Sequence, residues 1–277
     1  MRRSREILTY LVIIIFFIVR YANVDEVEPR RPLPEGAEQH VPPVLIPDDG
    51  PLPGNDDRGV TVELDLEVKN GIGTAFAARG DGVFITARHV VDGCGKIYLV
   101  KGPRMLEPVA SATSETSRDF AVLRAKGMKP KAFELSSESP NRGDDGYMMG
   151  FPQGKPADVR ATVIGRTEMR STGRYRMREP VVAWVERERR PTFGGSLGGI
   201  SGGPVFNAEG YVVGTVVAGA PRRGRVYTTH PRVFEDTGLI ADGTGTQRTL
   251  IKRENFDENG NAFRANRSIA QVYCEAP

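Results

Sequence analysis

The chain has 277 residues, 38 Lys and Arg against 35 Asp and Glu, and a net charge of +3, with the basic residues scattered among acids. So mild a balance argues against nucleic acid as a partner. Its 32 Gly and 20 Pro exclude a protein of long helices and favour many short strands joined by turns, in a chain long enough for one large core or two small ones.

The chain opens with the basic leader Met1-Arg2-Arg3-Ser4-Arg5-Glu6, succeeded by an uncharged apolar run from Ile7 to Val19. Such a pair directs export. Arg20-Tyr21 before Ala22 makes a poor cleavage site, so residues 1–22 read better as a retained signal anchor than as a cleaved signal peptide. The run is short for a full-width helix, and the positive-inside tendency places the chain beyond Arg20 outside the cytoplasm. The expected location is extracytoplasmic, membrane-anchored or secreted, and periplasmic in a Gram-negative cell. Residues 23–58 are rich in Pro and acids and poor in apolar residues, the composition of an extended tether.

Period-two alternation from Val60 to Val68 marks the first strand. The apolar run Val83-Phe84-Ile85 then leads into Thr86-Ala87-Arg88-His89, and Ser117-Arg118-Asp119 precedes the strand-like Phe120-Ala121-Val122-Leu123. Part of Ala161–Gly165 alternates as well. Val181–Val185 and Tyr211–Val217 read as more fully buried strands. Between them stands Gly198-Gly199-Ile200-Ser201-Gly202-Gly203-Pro204. Glycines flanking a serine bring bare backbone N–H groups close to its hydroxyl, which is how an oxyanion hole is built. A serine hydroxyl needs a base and an orienting acid to act as a nucleophile, and His89 and Asp119 lie upstream to supply them. Asp92 is the rival for the acid; it stands three residues after His89, where the chain turns.

Gly71-Ile72-Gly73-Thr74-Ala75-Phe76, Thr86–Val91, Asp119–Leu123, Gly150-Phe151-Pro152 and the serine loop, in that order, resemble the chymotrypsin-like serine proteases, of the HtrA/Deg type and its V8-like relatives. The resemblance covers residues 59–245. It implies an all-β fold of two packed six-stranded antiparallel β-barrels, with His89 and Asp119 on the first, Ser201 on the second, and a cleft between them. It also implies a serine endopeptidase acting on protein or peptide substrates without cofactor. His89 would be the general base, Asp119 its orienting acid, and the N–H groups of Gly199 and Ser201 the oxyanion donors. Ile200 departs from the Asp or Asn common before the nucleophile, which keeps a second reading open: a catalytically silent module of the same fold that binds peptides or a partner.

For the substrate pocket, the resemblance points to Gly195, six residues before Ser201, and to Val216 and Arg225. Gly195 offers no charge to select Lys or Arg, leaving small apolar or acidic targets; Arg225 would suit an acidic one, unless it is only part of a solvated hairpin tip. His40, His89 and His230 have no ligand-spaced partners, so no metal site is expected. Cys94 and Cys274 either pair, pinning the tail to the first barrel, or remain separate thiols. Residues 246–277 read as a polar C-terminal extension, too short for a PDZ domain and ending in the apolar stretch Ile269–Cys274.

Overall fold

The computed structural model describes Leu45, Leu52, residues 59–240 and residues 245–277. The anchor expected over 1–22, and all of the tether over 23–58 except Leu45 and Leu52, lie outside the described residues. Among the described residues no helix is long and apolar enough to cross a membrane.

The fold is all-β and built on two sheets. The first along the chain contains β2 (Gly71–Arg79), β3 (Val83–Thr86), β4 (Lys96–Gly102), β5 (Met105–Pro108), β6 (Ser111–Ser114) and β7 (Ala121–Arg124). The second contains β8 (Asp145–Gly150), β9 (Ala157–Gly173), β10 (Met177–Arg190), β11 (Pro204–Phe206), β12 (Val212–Ala220) and β13 (Arg225–Thr229). In this second sheet β8 pairs with both β11 and β9, so the six antiparallel strands close on themselves. Closure leaves no free edge among them. Val159, Ala161 and Val163 pack with Val182, Trp184, Val213 and Val226 in one buried cluster, and the Trp184 indole N–H finds the Thr228 hydroxyl at 3.0 Å.

Two strands depart from the expected count of six and six. β1 (Val60–Leu64) joins the barrel sheet from outside, running parallel to β9 with Val60 opposite Met169. It ends at Leu64, short of the expected Val68. The chain's end supplies β14 (Ile269–Glu275), which inserts between β4 and β2 to give a seven-stranded order β5-β4-β14-β2-β3-β7-β6. The stretch expected within a polar extension is thus an interior strand of the first sheet, paired on both edges. The sequence preceding it also contributes to the core. Helix α3 (Phe256–Ala265, after the short α1, Arg88–Val91, and α2, Val233–Asp236) turns Phe256 toward Tyr147 and Phe263 toward Phe133 and Phe206. Its Arg264 forms two 2.7 Å bonds to the buried Asp158 of β9.

Cys94 and Cys274 are bonded, with Cα atoms 5.6 Å apart. The link ties β14 to the turn just after α1. Elements distant in sequence therefore fix the short helix that carries His89.

Candidate active site

His89 sits in the single turn of α1, at the end of the buried strand β3. Asp119 comes from the loop before β7, the neighbour of β3. One carboxylate grips the histidine twice: Oδ1 accepts the His89 backbone N–H at 2.8 Å, and Oδ2 lies 2.5 Å from Nδ1. An ionised carboxylate only accepts, so Nδ1 carries the proton and neutral His89 presents a bare Nε2. Burial works to lower the His89 pKa, but the charge and hydrogen bond of Asp119 outweigh it, and the net shift is upward despite the opposing charge of Arg174. Asp92 has other partners, Arg88 at 3.2 Å and Arg174 at 3.3 Å.

Three residues not singled out in the sequence support this pair. The backbone N–H of Asp119 donates to Glu179 Oε1 at 2.9 Å, the Tyr175 hydroxyl approaches Asp119 Oδ1 at 3.5 Å, and Arg174 donates to the His89 carbonyl at 3.2 Å. Arg88 lies over the Tyr175 ring, 3.8 Å from its centre, closing that side. Glu179 is almost fully buried, and desolvation pushes its pKa up to about 8. At neutral pH it is mainly protonated, so the carboxyl beside Asp119 is neutral.

Ser201 precedes β11 and lines a cavity of about 230 Å³ together with His89, Gly198 and Gly199. No hydrogen bond joins its Oγ to His89 among the described residues. The loop around it is firmly held. The Gly198 carbonyl accepts the Gln153 N–H at 2.6 Å, the Gly199 carbonyl accepts the Thr74 hydroxyl at 2.8 Å, and the Ser201 carbonyl accepts the Thr74 N–H at 2.8 Å. In a trans peptide the C=O and N–H point opposite ways. Pinning the Gly198 carbonyl outward therefore turns the Gly199 N–H the other way.

The N–H groups of Gly198, Ile200, Gly202 and Gly203 are all used within the protein, on Ser196, Leu197, Val216 and Ile200. Those of Gly199 and Ser201 bond to nothing among the described residues. Glycine is required at two points of this loop. Gly199 has φ of +97° with the Phe151 carbonyl 2.6 Å from where a Cβ would stand, and Gly202 has φ of +86° with the Thr74 carbonyl at 2.0 Å. Ile200 is buried among Met148, Val205 and Val216, so the apolar residue before the serine anchors the loop to the barrel core.

The three residues expected to line a substrate pocket make contacts of their own. The Gly195 carbonyl accepts from Arg189 at 2.9 Å, and Arg189 is itself buried against Glu186 at 2.7 Å. Val216 is buried and backs the serine loop, its N–H donating to the Gly203 carbonyl at 2.8 Å. Arg225, at the start of β13, donates to the Arg223 carbonyl at 3.0 Å. None of the three lines the cavity shared by Ser201 and His89; Cys274 does. Among the described residues no group of His, Cys, Asp and Glu could hold a metal ion.

Thr74 and Gln153 both lie in or beside stretches legible in the sequence, Gly71–Phe76 and Gly150-Phe151-Pro152. Glu179, Tyr175 and Arg174 come from the β9–β10 hairpin, where alternation marked strands and nothing marked a site.

The sequence family described as trypsin-like peptidase domain matches residues 73–214, slightly more than half of the chain. A protein of Chlamydia pneumoniae described as a probable periplasmic serine endoprotease, DegP-like, is 29% identical over 147 residues, 53% of this chain and 28% of the relative. The chain thus spans little more than a quarter of that relative's length. Among solved structures, the active form of the Rv3671c protease of M. tuberculosis superposes with a TM-score of 0.51 at 18% identity, covering 76% of this chain and 97% of that one. That likeness is one of fold.

Proposed function

Because the chain belongs to the trypsin-like peptidase family, we propose that it is an extracytoplasmic serine endopeptidase whose nucleophile is Ser201, whose base is His89 and whose orienting acid is Asp119. The carrying observation is the double grip of Asp119 on His89, beside a serine loop whose carbonyls are turned away and whose Gly199 and Ser201 N–H groups have no acceptor among the described residues.

In this mechanism Nε2 of His89 takes the Ser201 proton as Oγ attacks a peptide carbonyl. The imidazolium is stabilised by Asp119 and returns the proton to the leaving amine. The tetrahedral oxygen receives the two free N–H groups, each typically worth about 2.7–4 kcal/mol in turnover. Water then hydrolyses the acyl-enzyme by the same route. The location is supported by the basic leader and apolar run, and by the periplasmic description of the Chlamydia relative. A domain of residues 59–245 would carry the chemistry, and the chain's end would complete it through β14 and the disulfide.

The test is labelling of the full chain with a fluorophosphonate probe, beside Ser201→Ala and His89→Ala, with mass spectrometry to locate the adduct. Labelling at Ser201 that depends on His89 is expected. Folded protein that stays unlabelled, with peptide libraries present, would favour the silent binding module instead.

A further inference from the structure

A second cavity, of about 580 Å³, is more than twice the volume of the one that holds Ser201, and the two share no lining residue. Glu179, which accepts the Asp119 amide, is one of its lining residues. Arg118 reaches it from the loop before β7, Arg166 from β9 and Arg232 from the turn into α2. Asp236 pairs with Arg118. Among the described residues Arg166 and Arg232 form no ion pair, although Arg166 donates to the Ser139 hydroxyl at 3.1 Å.

Every other polar group there is a donor or is neutral. His230 Nδ1 accepts the Arg232 N–H at 3.3 Å, so its proton stands on Nε2. Burial and then Arg166, Arg232 and Arg118 hold the His230 pKa below its usual value, which keeps the ring uncharged at neutral pH. Ser137 and Ser139 add hydroxyls, and Glu179 is mainly protonated at neutral pH. Guanidinium forks with hydroxyls and an imidazole N–H suit the oxygens of phosphate or carboxylate groups, and the volume falls in the range of small-molecule sites.

We propose that this cavity is a binding site for a small anionic ligand carrying phosphate or carboxylate groups, held by Arg118, Arg166 and Arg232 and distinct from the peptide site. The proposal does not rest on the peptidase reading.

The test is calorimetric titration of the full-chain protein with inorganic phosphate and, separately, with citrate, against chloride at matched ionic strength. Proton NMR of the His230 ring, assigned through His230→Gln, gives a local readout. Saturable binding of one anion per chain is expected, shifting the His230 resonance. It should weaken tenfold or more in Arg166→Gln/Arg232→Gln, both exposed positions, and persist in protein whose Ser201 is blocked. Response to phosphate alone would assign a phosphate ligand, and response to citrate alone a carboxylate one. No saturable binding beyond the chloride response would overturn the proposal. So would binding that leaves His230 unmoved or survives the double substitution.

Discussion

Thr74 is the residue through which the first sheet holds the serine loop, and Thr74→Val isolates that role. The side chain is fully buried; its hydroxyl donates to the Gly199 carbonyl at 2.8 Å and accepts the Phe151 N–H at 3.1 Å, while its backbone N–H serves the Ser201 carbonyl. Valine keeps the shape and the backbone bond but leaves one carbonyl and one N–H without their partner. A buried polar group left unsatisfied costs about 1–3 kcal/mol, so the two together cost ~2–6 kcal/mol of stability. The loss should fall on turnover as well. Gln153 still holds the Gly198–Gly199 peptide that carries the Gly199 N–H, but the freed Gly199–Ile200 peptide is the link that sets this donor's spacing from the Ser201 N–H, and losing one oxyanion donor typically lowers kcat by about 10²–10³. The assay pairs urea denaturation with kcat and KM on a peptide substrate, below the unfolding transition. Thr74→Ser, which keeps the hydroxyl, should recover most of kcat. If Thr74→Val lost stability but kept kcat within about threefold of wild type, the pinned Gly199 carbonyl would not be what sets the spacing of the two donors.

Three further outcomes rest on the same geometry. His89 has a pKa above 6.5 and must be neutral to act, so the acid limb of kcat/KM should titrate above pH 6.5; Asp119→Asn should move that limb down and cost about 10⁴ in kcat. Glu179 binds its proton more tightly folded, at about 8 against 4.5 unfolded, so its contribution is present below pH 4.5 and is lost as pH rises through 8, a span of at most about 5 kcal/mol. Glu179→Gln keeps an acceptor for the Asp119 N–H and should flatten that decline, raising the urea midpoint at about pH 8.5 relative to wild type more than at about pH 5; parallel profiles would refute it. The Cys94–Cys274 bond spans 180 positions, and Cys94→Ser/Cys274→Ser should lower stability by about 2–5 kcal/mol, read by denaturation under non-reducing conditions.

Strands were legible in the sequence because burial on one or both faces leaves a period of two or a short apolar run, a pattern that needs no knowledge of neighbours. β3, β10 and β12 were readable in that way. His89, Asp119 and Ser201 could likewise be placed at strand ends or in loops, since glycines around a serine have a local backbone reason. Which distant groups meet was a matter for the fold. Thr74 and Gly199 are 125 positions apart, Asp119 and Glu179 are 60 apart, and no local pattern records either bond. Ile269–Cys274 reads as an apolar end to a polar tail because one strand's alternation does not say which sheet it completes; only pairing with β2 and β4 puts it inside the sheet. The Gly195 carbonyl shows the same limit, for its donor, buried Arg189, is placed by packing across the barrel. Local chemistry is set by residues adjacent in the chain, whereas orientation and charge state in the site are set by long-range contacts whose partners the fold alone brings together.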